Sequence, residues 1–110
     1  MKRAYICMPM RGRQQNIIEE EIDKALNLMF FCTKKKYVQI NYNPDFANMR
    51  PLVALGESIK SMDQADVVLV FDGYDDSSGC IVEIEAAERY KKPIVYVKDL
   101  QAALEDTREY

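Results

Sequence analysis

Two kinds of hydrophobic pattern alternate along this chain. Short apolar runs at 2–8 (KRAYICM), 37–42 (YVQINY), 66–71 (DVVLVF) and 94–97 (IVYV) have the length and the β-branched and aromatic content of strands. Between the first two runs, Ile18, Ile22, Ala25, Met29 and Cys32 recur at helical spacing, which predicts a helix from Asn16 to Thr33. Leu52, Leu55, Ile59 and Met62 do the same between the second and third runs. A third helix fits Gly79 to Lys91, with Lys92-Pro93 marking its end, and a short terminal helix is expected from Asp99 onward. The order is therefore β-α-β-α-β-α-β-α.

Strands separated by helices cannot pair as hairpins, so the pattern predicts a parallel sheet covered by helices on both faces. Right-handed crossovers leave few topologies. The expectation is a flavodoxin-like three-layer α/β/α sandwich with strand order 2-1-3-4. Asp66-Val67-Val68-Leu69-Val70-Phe71 is almost continuously apolar, as a central strand buried on both faces should be. With 110 residues and no repeats, low-complexity segments or linkers, residues 1–110 are expected to form a single domain.

Composition narrows the function classes. A net charge of −3 gives no general footprint for a nucleic-acid polymer. The Lys34-Lys35-Lys36 cluster reads as a solvated helix C-terminus, where cations are favoured by the helix dipole. No apolar run reaches the roughly 18 residues that span a bilayer. The apolar run behind Met1-Lys2-Arg3 is too short for a signal sequence. Three cysteines, Cys7, Cys32 and Cys80, are an odd number without a CxxC pair, which points to reduced thiols and a cytoplasmic protein. The complete absence of histidine excludes histidine-based triads, histidine general bases and most catalytic zinc sites.

In doubly wound sheets ligands bind beyond the carboxyl ends of the strands, where the strand order reverses. That rule selects the loop after the first strand, Met8 to Arg13, and the loop after the third, Asp72 to Gly79. On a helical wheel Cys80, Val82, Ile84, Ala86, Ala87 and Tyr90 form a broad apolar arc opposite Glu85, Glu88, Arg89 and Lys92. Glu83 falls near the centre of the apolar arc. An inward carboxylate without compensation costs several kcal/mol, so it is either a cap of the helix N-terminus or an acid poised for chemistry. Ser77, Ser78 and Gly79 would form an anion cradle or an ordinary N-cap. Asp72, Asp75 and Asp76 are turn residues or contacts to a ribose hydroxyl. Arg11, beside Gly12 and Arg13, suits a phosphate or carboxylate, with solvated arginine as the alternative. Tyr5 is a packing residue or aims its hydroxyl at Glu83. Cys7 and Cys80 can approach one another in the crevice; two thiols without histidine are read as core, and no metal or cofactor is expected.

These residues form a familiar pattern. Tyr5-Ile6-Cys7-x-Pro9-Met10-Arg11-Gly12, Ala65-Asp66-Val67-Val68 and Ser77-x-Gly79-x-x-x-Glu83-Ile84-x-x-Ala87 together resemble the nucleoside 2-deoxyribosyltransferase superfamily, which includes deoxynucleoside 5′-monophosphate N-glycosidases and small bacterial and phage domains. The resemblance covers nearly the whole chain. It implies that Glu83 attacks the anomeric carbon of a deoxyribose to give a covalent glycosyl-enzyme. It implies that Tyr5 orients that carboxylate, that Ser77 binds a 5′-phosphate, and that Arg11 and Gly12 belong to the phosphate-side loop. It further implies a homodimer or larger oligomer, and the terminal Glu105-Asp106-Thr107-Arg108-Glu109-Tyr110 is either an arm reaching into a neighbour's pocket or a frayed tail.

Two positions depart from the pattern. Met8 stands where the first loop usually has glycine, which crowds the pocket. Ser58 stands where catalytic members carry an aspartate that assists base departure, and serine is a poor proton donor to a nucleobase. Glu57 is adjacent, but a one-residue offset on a helix is expected to point it elsewhere. The sequence thus supports cleavage or transfer at the N-glycosidic bond of a 2′-deoxynucleoside or its 5′-monophosphate. The alternatives are a module that binds or sequesters a nucleotide-like ligand without chemistry and an assembly subunit with a vestigial crevice. Arg11, Gly12, Asp72, Ser77, Ser78 and Gly79 are the candidate binding residues. The expected partner is a small nucleoside or nucleotide, with neither a nucleic-acid polymer nor a membrane.

Overall fold

The computed structural model describes residues 1–40 and 48–108, with side chains through residue 105. It is an α/β protein whose four strands form one all-parallel sheet. The strands are β1 (Lys2–Cys7), β2 (Tyr37–Gln39), β3 (Val67–Val70) and β4 (Ile94–Tyr96), and their order is β2-β1-β3-β4. The helices are α1 (Gln15–Thr33), α2 (Pro51–Met62), α3 (Ser78–Arg89) and α4 (Val97–Arg108). This is the expected flavodoxin-like sandwich, with the expected strand order.

Alternation along β1 divides the core. Ala4, Ile6 and Met8 join Leu69 and the inner residues of α1 and α4, Ile18, Ile22, Met29 and Leu100 among them. Tyr5 and Cys7 point to the opposite face, where Val68, Val70, Met62 of α2 and Cys80, Ile84 and Ala87 of α3 pack together. All four residues of β3 are buried, as a strand covered on both faces requires. The edge strands β2 and β4 are only three residues long and half-buried, which limits the unpaired backbone they offer.

The Ala65-Asp66 motif has a structural explanation. Asp66 Oδ2 accepts the Arg3 backbone N–H at 2.7 Å, and the Asp66 N–H donates to the Arg3 carbonyl at 2.8 Å. This clamp fixes the register of β1 on β3 at their amino ends, far from the carboxyl-end crevice. At the same amino end, Lys92 Nζ donates to the carbonyls of Asp63 and Ala65 at 2.8 and 2.7 Å, tying the segment after α3 to the α2–β3 turn. Lys34 caps α1 in the left-handed region (φ 62°) and donates its N–H to the Phe30 carbonyl.

Several boundaries and faces differ from expectation. Val97 begins α4 instead of ending β4, because it turns inward to the α1/α4 core. The second strand ends at Gln39; residues 41 and 42 of its expected span lie outside the described residues. The segment suggested as an intersubunit arm lies, beyond Glu105, outside the described side chains. The buried face of α2 is Ala54, Ser58 and Met62; of the expected Leu52, Leu55, Ile59 and Met62 stripe only Met62 is buried, and Leu52 is 82% exposed. The arc of α3 is also narrower than drawn. Cys80, Glu83, Ile84 and Ala87 are buried, whereas Val82 and Tyr90 are exposed.

Candidate active site

Glu83 lies on the second turn of α3 and is 6% exposed. Its inward direction follows from the register of α3: Cys80, Ile84 and Ala87 must meet the sheet, and Glu83 shares their stripe. The helix start is fixed by Ser77, whose Oγ accepts the Cys80 N–H at 3.3 Å. Ser77 is therefore an N-cap, and it also faces the crevice.

The carboxylate is compensated on both oxygens. The Tyr5 hydroxyl donates to Oε2. The Cys7 thiol lies 3.7 Å from Oε1 and 3.8 Å from the Cys80 carbonyl oxygen, within weak thiol hydrogen-bonding range. Ser58 of α2, also buried, adjoins the Tyr5 phenol and pulls its pKa down, against the larger upward push of burial and of Glu83. A polar chain Tyr5–Glu83–Cys7 thus links β1 to α3, and no buried side-chain N or O atom among the described residues lacks a partner.

Burial pushes the Glu83 carboxyl above the usual glutamate range, against the opposing pull of hydrogen bonds from Tyr5 and Cys7. Tyr5 is raised well above the ordinary phenol value by burial and then by the Glu83 charge, so it stays a donor. The two thiols diverge. Cys7 is raised by its hydrogen bond to Cys80 and by burial, while Cys80 is lowered, chiefly by that same hydrogen bond.

A cavity of about 420 Å³ opens beside Glu83. Its walls come from the loop after β1 (Met8 to Arg11), the start of α3 (Ser77, Gly79, Cys80), the end of β2 (Gln39, Ile40) and the inner face of α2. The volume is typical of small-molecule sites. Of the residues singled out in the sequence, Tyr5, Arg11, Ser77, Gly79 and Glu83 line it, whereas Gly12, Ser78 and Asp72 do not. Gly12 is exposed and takes φ +75°, a turn conformation that side chains resist. Asp72 lines a separate depression with Arg13 and Glu21, on the other side of the loop. Arg13 is engaged there, pairing with Glu21 at 2.6 Å. Arg11 is exposed and has no ion pair among the described residues.

Apart from Ser58, two walls escaped the sequence reading. The end of β2 contributes Gln39 and Ile40, and α2 contributes Ala54, Leu55, Ser58 and Ser61. Glu57 also lines the cavity, so its one-residue offset from Ser58 does not carry it away. Glu57 is half-buried there, one position from the buried Ser58. The available signal was Ser58 itself, a polar residue in register with Ala54 and Met62. Met8 is buried, packing into the α1/α4 core while bordering the cavity.

The lining thus contains two carboxylates of contrasting environment: Glu83, buried and hydrogen-bonded, and Glu57, half-buried. Compared with family models, curated proteins and solved structures, the chain matches none.

Proposed function

We propose that this protein cleaves or transfers at the N-glycosidic bond of a 2′-deoxynucleoside or its 5′-monophosphate, with Glu83 as nucleophile. The observation that carries this reading is the burial of Glu83 at the carboxyl end of a parallel sheet, oriented by Tyr5 and bordering a cavity of about 420 Å³. The motif resemblance described above points the same way.

In this mechanism the ionised Glu83 attacks the anomeric carbon as the bond to the base breaks, and the base leaves with the bonding electron pair. The Tyr5 bond to Oε2 holds the carboxylate so that Oε1 is the attacking oxygen. Glu57 donates the proton that the departing base requires, the role Ser58 cannot perform. Water, or a second base, then attacks the same carbon and releases Glu83. Arg11 and Ser77, at the phosphate-side wall, bind the 5′ end of the substrate. The same reading includes a homo-oligomer, in which a second copy covers the exposed Leu52, Val53, Ile81 and Val82 on the two helices that frame the cavity.

The direct test is incubation with each deoxynucleoside and deoxynucleotide, alone and with a second free base, followed chromatographically. Base release or exchange that disappears in Glu83→Ala is the expected result. Turnover surviving in that variant removes the nucleophile assignment. Ligand-induced thermal stabilisation without turnover selects the binding module instead.

A further inference from the structure

Cys7, Cys80 and Glu83 form a donor set that the glycosidic reading uses only in part. Their ligand atoms, two Sγ and a carboxylate oxygen, all lie within 4.8 Å of one another, and all three residues are buried. We propose that Cys7, Cys80 and Glu83 form a binding site for a thiophilic divalent cation, zinc by preference, at the floor of the cavity.

The geometry carries this. A tetrahedral zinc with bonds of about 2.3 Å to sulfur and about 2.0 Å to oxygen sets its ligands about 3.8 Å apart for two sulfurs and about 3.5 Å apart for sulfur and oxygen. Cys7 Sγ lies 3.7 Å from Glu83 Oε1, and the 4.8 Å limit on the remaining separations leaves about 1 Å to close, within reach of small χ1 adjustments. The supporting hydrogen bonds are already in place. Tyr5 holds Oε2 and leaves Oε1 toward the thiols, and Ser77 hydrogen-bonds Cys80 in the first turn of α3, where the helix N-terminus favours a thiolate. Cys80 and Glu83 border the cavity, so the fourth coordination position opens to solvent or a small ligand, as in sites with three protein ligands. Two sulfurs select a soft or borderline ion and disfavour magnesium or calcium. Glu83 thus supplies the third donor that two thiols alone lack. Binding releases the thiol protons to solvent and occupies Oε1, so metal and glycosyl transfer compete for the same oxygen.

The test uses reduced full-length protein carrying Cys32→Ser, which removes the exposed third thiol. Zinc is titrated in competition with a chromophoric chelator, and cobalt serves as the spectroscopic probe. The expected result is one metal per chain and tetrahedral cobalt bands with thiolate charge transfer. Cys7→Ser or Cys80→Ser should weaken binding by more than about tenfold, and Glu83→Gln should do the same. Circular dichroism and thermal melting check each variant; if Cys7→Ser fails to fold, Cys80→Ser and Glu83→Gln read the same site. Binding unaffected by Cys80→Ser, an octahedral cobalt spectrum, or no binding in the Cys32→Ser protein would overturn the site. These readouts do not depend on turnover, so they stand apart from the fate of the glycosidic reading.

Discussion

Tyr5→Phe removes the hydroxyl that donates to Glu83 Oε2. A hydrogen bond to a charged partner contributes about 1.5–3 kcal/mol net, against about 0.5–1.5 kcal/mol between neutral groups. The cost of the substitution therefore depends on the ionisation of Glu83. Above the Glu83 titration it should approach about 1.5–3 kcal/mol, and below it, where the carboxyl is neutral, about 0.5–1.5 kcal/mol. With about 1.4 kcal/mol per pK unit, the difference corresponds to an upward shift of about one unit in Glu83 when the phenol is lost. Urea unfolding of wild type and Tyr5→Phe across the acidic-to-neutral range measures this directly. The free-energy gap between the two proteins should widen as pH rises. The same substitution made in Glu83→Gln should cost the smaller, pH-independent amount, leaving a coupling of about 1 kcal/mol or more. A gap that stays constant with pH, or an undiminished cost in Glu83→Gln, would refute a charge-assisted bond between these side chains.

Three further outcomes follow from the same geometry. Glu83 is raised in the folded state, so its contribution to stability is fully present below the ordinary carboxyl value and lost as pH rises through the folded pKa. Glu83→Gln should therefore gain stability relative to wild type toward neutral pH in urea titrations; parallel curves would contradict the burial argument. Glu57→Gln should slow release of an ordinary base by about a hundredfold or more, yet leave a 7-methylguanine leaving group nearly unaffected, because that base is already cationic in the substrate and departs neutral without a proton. Equal losses with both leaving groups would remove Glu57 as the proton donor. Ser77→Ala should destabilise the fold by about 0.5–2 kcal/mol through the lost cap. It should also raise KM for a 5′-monophosphate more than for the free nucleoside, and equal changes would leave Ser77 as a cap only.

The layer order was readable because each strand is a compact apolar run and each helix separates two of them. The DVVLVF run identifies its own central place in the sheet. Glu83 was readable for a related reason: in α3 the inward positions are unambiguous on either side of it, at Cys80, Ile84 and Ala87. The inner face of α2 was not. Leu52, Leu55 and Ile59 make the stronger hydrophobic stripe, yet α2 turns Ala54 and Ser58 inward, where Ser58 meets the Tyr5 phenol. Periodicity ranks faces by hydrophobicity, and it fails where a cavity and a polar chain replace close packing. The same failure hid Glu57. Val82 and Tyr90 were assigned inward by angle alone, but only the narrower stripe of Cys80, Glu83, Ile84 and Ala87 is buried, and Tyr90 lies beyond the end of the helix. Gly12 resembled part of a binding loop, while its positive φ explains it as a turn.

The most direct measurement is rapid-quench peptide mass spectrometry on protein mixed with a deoxynucleoside or deoxynucleotide substrate. Glu83 as nucleophile predicts a deoxyribosyl ester, with or without the 5′-phosphate, on the peptide carrying Glu83 during turnover, and none in Glu83→Gln. Base release without that adduct, an adduct on another residue, or no chemistry with any of these substrates would contradict it.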